Sequence, residues 1–258
     1  MTLKTILITG ATSGIGRATA VNFATQKNNL ILLARRVDRL QQIKEALQKK
    51  HDVKVDIRAL DVRNFDALKE GLRDIWEEEI KIDVLVNNAG LALGLSGFED
   101  GKISHWDQMI DTNIKGLLHV TKIVSKGMKH RKDGHIINLS SIAGKEVYPL
   151  GNVYCATKHA VEALTKGMRI DLSPYNIRVS QVAPGHVENT EFASVRFEGD
   201  EERARIYEDF NPVRSEDIAE IIYFIASRPV HVNIQDVLVT GTQQASATII
   251  RRSGRIFD

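Results

Sequence analysis

The chain reads as an α/β protein of the Rossmann type, a doubly wound parallel sheet of about seven strands with helices on both faces. Two observations predict it. Short apolar runs of the kind buried on both sides of a sheet alternate along the chain with stretches of helical spacing. The first of these runs, Thr5-Ile6-Leu7-Ile8, also opens into a glycine-rich turn, Thr9 to Gly16, that leads directly into a helical stretch from Arg17 to Ala24.

The turn has a physical use. Glycines let a backbone approach a ligand closely, and a helix N-terminus offers unpaired N–H groups and a favourable dipole, so Gly10, Ala11, Thr12, Ser13, Gly14, Ile15 and Gly16 form a phosphate cradle. The next strand, Leu30 to Leu33, ends in Arg35 and Arg36. An acid there would accept hydrogen bonds from the ribose of NAD; two guanidinium forks suit a 2′-phosphate and hence NADP. The same arginines could instead open the helix Val37 to Lys50. The strand from Val53 delivers Asp61-Val62 to its C-terminal end, where Asp61 could hold an adenine amino group or, with Asn64, cap the helix from Phe65 to about Glu79. Val84 to Val86 makes the fourth strand and ends in Asn87-Asn88-Ala89-Gly90, small enough for a flat ligand to approach.

One long helix is predicted from Ser104 to about His130, its apolar face broken by Asn113, which must be hydrogen-bonded if buried. A strand from Ile136 to Leu139 then leads to Ser141, and a helix from about Val153 to Leu172 carries Tyr154 and Lys158. Four residues apart on a helix, these two share a face. A nearby ammonium favours the phenolate of a tyrosine, so the pair can move a proton, with the Ser141 hydroxyl in reach of the oxygen being transformed. A tyrosine and a lysine at this spacing also occur as an unremarkable surface pair, so context decides. The strand Val179 to Val182 closes at Pro184-Gly185, and Val237 to Val239 would be the last strand.

Composition sets the remaining bounds. The 258 residues, 43% apolar and 26% charged, fit one soluble domain spanning 1–258. A net charge of +2 argues against a nucleic-acid partner. The single cysteine, Cys155, permits neither an intramolecular disulfide nor a cysteine-based metal cluster, and no metal site is expected. No apolar run approaches the roughly 18 residues of a membrane span, and Met1 to Lys4 leads straight into a strand, so the expected location is the cytoplasm. Phe197 to Asn211 looks like a mobile lid, and the basic stretch from Gln243 to Asp258 like a disordered tail or one packed on a neighbouring subunit.

These motifs, in this order and spacing, resemble the short-chain dehydrogenase/reductase family over essentially the whole chain. Within it, Asn87 to Gly94, Gly151 to Tyr154, Pro184 to Phe192 with Val195-Arg196-Phe197, and His231 to Ile234 are most similar to NADP-dependent 3-hydroxy acid dehydrogenases acting on serine or L-allo-threonine. The resemblance implies Tyr154 as acid/base, Lys158 lowering its pKa and holding the nicotinamide ribose, Ser141 orienting the substrate oxygen, and Asn113 anchoring a water. It also implies Gly10 to Ile15 on the pyrophosphate, Arg35 and Arg36 on the 2′-phosphate, Asp61-Val62 on the adenine and Asn88 beside the ribose. Ala89 and Gly90 would adjoin it, and Pro184, Gly185, Val187, Thr190 and Phe192 would cover the nicotinamide. Many NADP-using members carry a basic residue where this chain has Ser13, which leaves the preference to Arg35 and Arg36. A small hydroxy acid substrate needs a cation, for which Arg196 is the candidate with Arg251 and Arg252 behind it, although an arginine on a loop is also an ordinary solvated charge. Glu188 or Glu191 could meet an amino group, and Glu191 could as easily start a helix. Family resemblance further implies a homotetramer built as a dimer of dimers through the two long helices.

Overall fold

The computed structural model describes residues 3–77 and 79–257. The expectations that touch Met1, Thr2, Glu78 and Asp258 lie, at those positions, outside the described residues. Nine strands are present among them: β1 (Thr5–Thr9), β2 (Asn29–Ala34), β3 (Val55–Ala59), β4 (Val84–Asn87), β5 (Gly134–Leu139), β6 (Ile177–Pro184), β7 (Val187–Glu188), β8 (Val213–Arg214) and β9 (Asp236–Val239). Seven form one sheet in the order β3-β2-β1-β4-β5-β6-β9, every pair parallel, and β7 and β8 form a small separate pair.

Alternation along each strand explains the two layers of core. Ile6, Ile8, Leu30, Leu32, Val84 and Val86 face α1 (Gly14–Thr25), α2 (Val37–His51) and α10 (Ser215–Ser227), meeting Phe23, Leu40, Ile218 and Ile222. Leu7, Ile31, Leu33, Leu85 and Ile136 face the other way, onto Leu68, Leu72, Val120, Ile123 and Met128. Each such buried aliphatic side chain contributes about 1.5–3 kcal/mol, so both faces of the sheet must be covered for the strands to be stable.

The long central helix departs from the uniform one expected. It runs as α5 (Ile103–Ile110), a π turn (Asp111–Gly116) and α6 (Leu117–Arg131). The wide turn brings Asn113 inward, where its amide donates to Leu91 O at 2.8 Å and Thr157 Oγ1 at 3.0 Å while its carbonyl accepts from Leu91 N at 2.8 Å. The helix expected from Phe65 to Glu79 is also divided, into α3 (Phe65–Gly71) and α4 (Arg73–Trp76), at Leu72. Asn64 alone caps it, accepting from Ala67 N at 3.0 Å, while Asp61 turns to Arg63.

The C-terminal stretch through residue 257 is not a loose tail but is tied to the rest of the chain. Gln243 accepts from Asn211 N at 2.7 Å, Gln244 accepts from His186 N at 2.9 Å, and Arg255 pairs with Glu188 at 2.7 Å. Glutamine side chains bonding to loop backbone hold this segment, which is why apolar periodicity did not reveal it.

Candidate active site

Parallel strands all present their C-terminal ends on one edge, and the order reverses between β1 and β4, which opens a crevice there. The cleft that follows it encloses about 550 Å³. Its walls include Gly10, Thr12, Ser13, Gly14, Ile15, Arg35, Arg36, Asp61, Val62, Asn88, Ala89 and Gly90 at one end. Ser141, Tyr154, Lys158, Pro184, Gly185, Val187, Thr190, Phe192 and Arg196 line the other. Three expected residues stand behind the wall: Ala11 and Gly16 are buried under the turn, and Asn113 under Leu91.

The glycine turn is as tight as its sequence implies. Gly10 has φ +66°, and a Cβ on Gly16 would lie 2.4 Å from Gly10 O. Asn88 ties the turn to β4, its amide donating to Thr9 O at 3.0 Å and Gly10 O at 3.2 Å; that side chain is a brace for the cradle. Arg36 lies at the end of β2 and donates to Thr12 Oγ1 at 2.9 Å and Ser13 Oγ at 3.2 Å. Two hydroxyls and a guanidinium therefore converge beside the turn, while Arg35 lines the same end and its charge acts on Asp61. A turn that no Cβ could share with the backbone beneath it, followed by a cationic end with no acid on β2, fits a dinucleotide carrying a further phosphate.

At the other end, α7 (Asn152–Leu172) buries Tyr154 and Lys158 on one face. Lys158 Nζ donates to Leu139 O at 2.9 Å and lies 5.9 Å from the Tyr154 ring centroid. Burial drives the lysine down to about 8. The tyrosine moves opposite to expectation: burial, then the Tyr148 phenol, holds it well above its ordinary value, against Ser141 and the charge of Arg196. The ammonium is turned to the Leu139 carbonyl, so desolvation outweighs it. Ser141 Oγ accepts from Ala143 N at 3.1 Å and donates to Pro184 O at 3.4 Å, and the Phe192 ring meets Tyr154 edge-on at 5.6 Å.

Arg196 is not a solvated charge. It is 7% exposed at the end of α8 (Phe192–Arg196), with Nε donating to Gly94 O at 3.1 Å and Nη1 to Tyr148 Oη at 3.0 Å. Its Nη2 is buried with no hydrogen-bond partner among the described residues, and the guanidinium is 5.7 Å from the Tyr154 ring centroid. Of the other charged candidates, Arg252 reaches the cleft but pairs with Asp209, whereas Arg251 is exposed. Neither glutamate is placed for an amino group: Glu188 pairs with Arg255 and Arg214, and Glu191 with Arg36 and Arg39. Of the segment 197–211, Phe197, Ile206 and Tyr207 line the cleft. Tyr148, His186 and Tyr207 line the site without having been singled out; only the Tyr148-Pro149 turn just before α7 carried a signal for the first.

A buried tyrosine and lysine on one helix, a hydroxyl at the neighbouring strand end and a nucleotide cradle define an oxidoreductase of the alcohol dehydrogenase type. The chain belongs to the short chain dehydrogenase family, whose model matches residues 4–201. It is 42% identical over 250 residues to the NADP-dependent 3-hydroxy acid dehydrogenase YdfG of Salmonella typhi, covering 96% of this chain and 99% of that one. It is 43% identical to sulfoacetaldehyde reductase 2 of Chromohalobacter salexigens over 242 residues, 93% of this chain and 95% of the relative. The solved closed form of serine dehydrogenase complexed with NADP+ superposes with a TM-score of 0.89 at 39% identity, covering 96% of this chain and 98% of that one.

Proposed function

We propose that the protein is an NADP-dependent dehydrogenase of small 3-hydroxy acids, L-serine, L-allo-threonine and 3-hydroxypropionate among them, or runs the reverse reduction of the matching semialdehyde or 3-oxo acid. The observation that carries the substrate class is Arg196, a cleft-lining guanidinium 5.7 Å from the Tyr154 ring centroid whose buried Nη2 has no hydrogen-bond partner among the described residues. A carboxylate is the natural partner of such a fork. The cofactor, when bound, accepts or returns a hydride at the substrate carbon.

The chain's own residues do the rest. Gly10 to Ile15 hold the pyrophosphate against the start of α1, Arg35 and Arg36 take the 2′-phosphate, and Asp61 and Val62 border the adenine. Arg196 and Tyr148 fix the acid end, which leaves the 3-hydroxyl between Ser141 and Tyr154. Tyr154 Oη exchanges the hydroxyl proton, and Lys158, buried on the same face of α7, positions the ribose. Asn113, bonded to Leu91 and Thr157, supports this wall. Holding both reactants in contact supplies much of the rate.

A second reading, a carbonyl reductase acting on another anionic substrate such as a sulfonate, is supported by the same guanidinium and by the sulfoacetaldehyde reductase relative. The reading extends to a cytoplasmic homotetramer. Exposed Ile110, Leu118 and Ile170 on α5, α6 and α7 support pairing of those helices, and light scattering checks it.

The test is the initial rate of nicotinamide absorbance change with NADP or NAD on L-serine, L-allo-threonine, L-threonine and 3-hydroxypropionate. NADP-linked turnover is expected on the first two, lost by roughly 10²–10⁴-fold in Tyr154→Phe. Arg196→Met should raise KM for the hydroxy acids by about ten- to a hundredfold, the worth of a charge-assisted hydrogen bond, with a smaller change in kcat. Silence on all four acids, with NADPH consumed on sulfoacetaldehyde or simple ketones, would refute the hydroxy acid assignment.

A further inference from the structure

The residue just before α8 is held against Arg36. Glu191 lines the cleft, its Oε2 accepting from Arg36 Nη1 at 2.8 Å and its Oε1 from Arg39 Nη1. The Nε and Nη2 donors of Arg36 are committed to Thr12 and Ser13. An internal carboxylate therefore occupies Nη1 of Arg36, one of the two arginines assigned to the phosphate, and is held there by Arg39 as well.

We propose that Glu191 is a specificity-determining residue for the cofactor, a built-in competitor that opposes the 2′-phosphate of NADP at Arg36 and tempers the preference for NADP over NAD. The inference rests on the reading of the Arg36 end as the 2′-phosphate site. Its physical content is a like-charge contact. A phosphate gripped by Arg36 either displaces Glu191, losing two ion pairs, or sits beside an ionised carboxylate. The hydrogen bonds from Arg39 and Arg36 outweigh burial and keep Glu191 below the usual carboxylate range, so it is charged throughout the neutral region. An unphosphorylated ribose meets no such opposition, because its hydroxyl can donate to the same carboxylate. β2 supplies no acid for that role, since Arg35 and Arg36 stand where one would be.

The groups are about two-fifths exposed, with side-chain exposures of 41% for Arg36 and 38% for Glu191. Solvent screening therefore limits the effect to about fivefold in affinity, the upper range for exposed pairs.

The experiment is a calorimetric titration of NADP, NAD, 2′,5′-ADP and 5′-ADP into the wild-type protein and Glu191→Gln, with thermal melts to confirm that both are folded. The expected result is that the variant binds NADP and 2′,5′-ADP about fivefold more tightly while NAD and 5′-ADP are unchanged or weaker. Added salt should shrink the difference. Weaker NADP binding in the variant would overturn the proposal, because Glu191 would then be a support of the phosphate site. Equal changes for phosphorylated and unphosphorylated ligands, or none, would overturn it too. A wild-type protein that does not distinguish 2′,5′-ADP from 5′-ADP would instead overturn the phosphate site itself. Glu191→Ala, which removes the carboxylate without leaving an amide to bond the arginines, separates charge from shape: it should tighten NADP as the glutamine variant does.

Discussion

Replacing Lys158 by methionine should make the protein more stable and nearly inactive. The ammonium is buried and lowered from its ordinary 10.5 to about 8 by desolvation alone. That displacement corresponds to about 3 kcal/mol of destabilisation near neutral pH. Methionine removes the charge and keeps most of the volume, but it leaves Leu139 O without its 2.9 Å donor, which costs about 1 kcal/mol. The net gain is about 2 kcal/mol, or roughly 4–8 °C in Tm for a chain of this size. A pH series distinguishes this cause from better packing. Below about pH 8 both folded and unfolded chains keep the proton, so the penalty is constant. Between about 8 and 10.5 the folded protein has released a proton that the unfolded chain retains, so wild-type stability climbs with pH. The gap between the two melting curves, recorded without nucleotide by circular dichroism, should therefore close between pH 7 and pH 10. A variant less stable than wild type at pH 7, or a gap that ignores pH, would show that burial of this charge is not what sets the lysine's energy.

Two further outcomes follow from the same geometry. Because the Tyr154 phenol is held above its ordinary value, it is protonated through the neutral range and ready to give its proton. Reduction should run well at pH 6–8, while kcat/KM for oxidation, which needs the phenolate, should rise up to about tenfold per pH unit towards pH 10. A flat or acid-side optimum for oxidation, measured by pH-rate profiles in both directions, contradicts this. Gly16→Ala would drive a Cβ to 2.4 Å from Gly10 O. The turn must shift, at about 1–3 kcal/mol, and NADP affinity measured by calorimetry should fall far more than Tm does.

The sheet was legible because each strand is a short apolar run and each crossover has helical spacing, signals carried within a few residues of each other. Tyr154 and Lys158 were legible for the same reason, being four apart on one helix. What sequence could not carry is contact between distant loops. Arg196 and Tyr148 lie 48 positions apart, and nothing near either announces that one donates to the other. Glu191 finds Arg36 across 155 positions, so sequence offers it only as an amino-group partner or a helix-start residue; it does stand at the start of α8, but its carboxylate contact is not legible. The π turn depends on Asn113 reaching Leu91, 22 residues back, which an apolar pattern does not record. The sense of the Tyr154 shift failed for a related reason: spacing places the lysine near the phenol, but only the fold shows that both are buried and that the ammonium turns to Leu139.

Helix α8 joins these two failures of legibility into one physical unit. At five residues it is far shorter than the roughly 12–15 at which an isolated helix becomes even marginal, so its position is set by what holds its ends. Glu191 fastens the first end to Arg36 and Arg39, Arg196 fastens the last to Gly94 and Tyr148, and Phe192 packs on Tyr154 between them. A phosphate that competes for the first anchor and a carboxylate that engages the last therefore act on the same short element from opposite ends. Binding energies that share such an element are coupled, and the coupling is reciprocal. Occupancy of the 2′-phosphate site by 2′,5′-ADP should then change the affinity of the wild-type protein for a hydroxy acid. In Glu191→Gln, where the first anchor has lost its charge, the same fragment should change it much less.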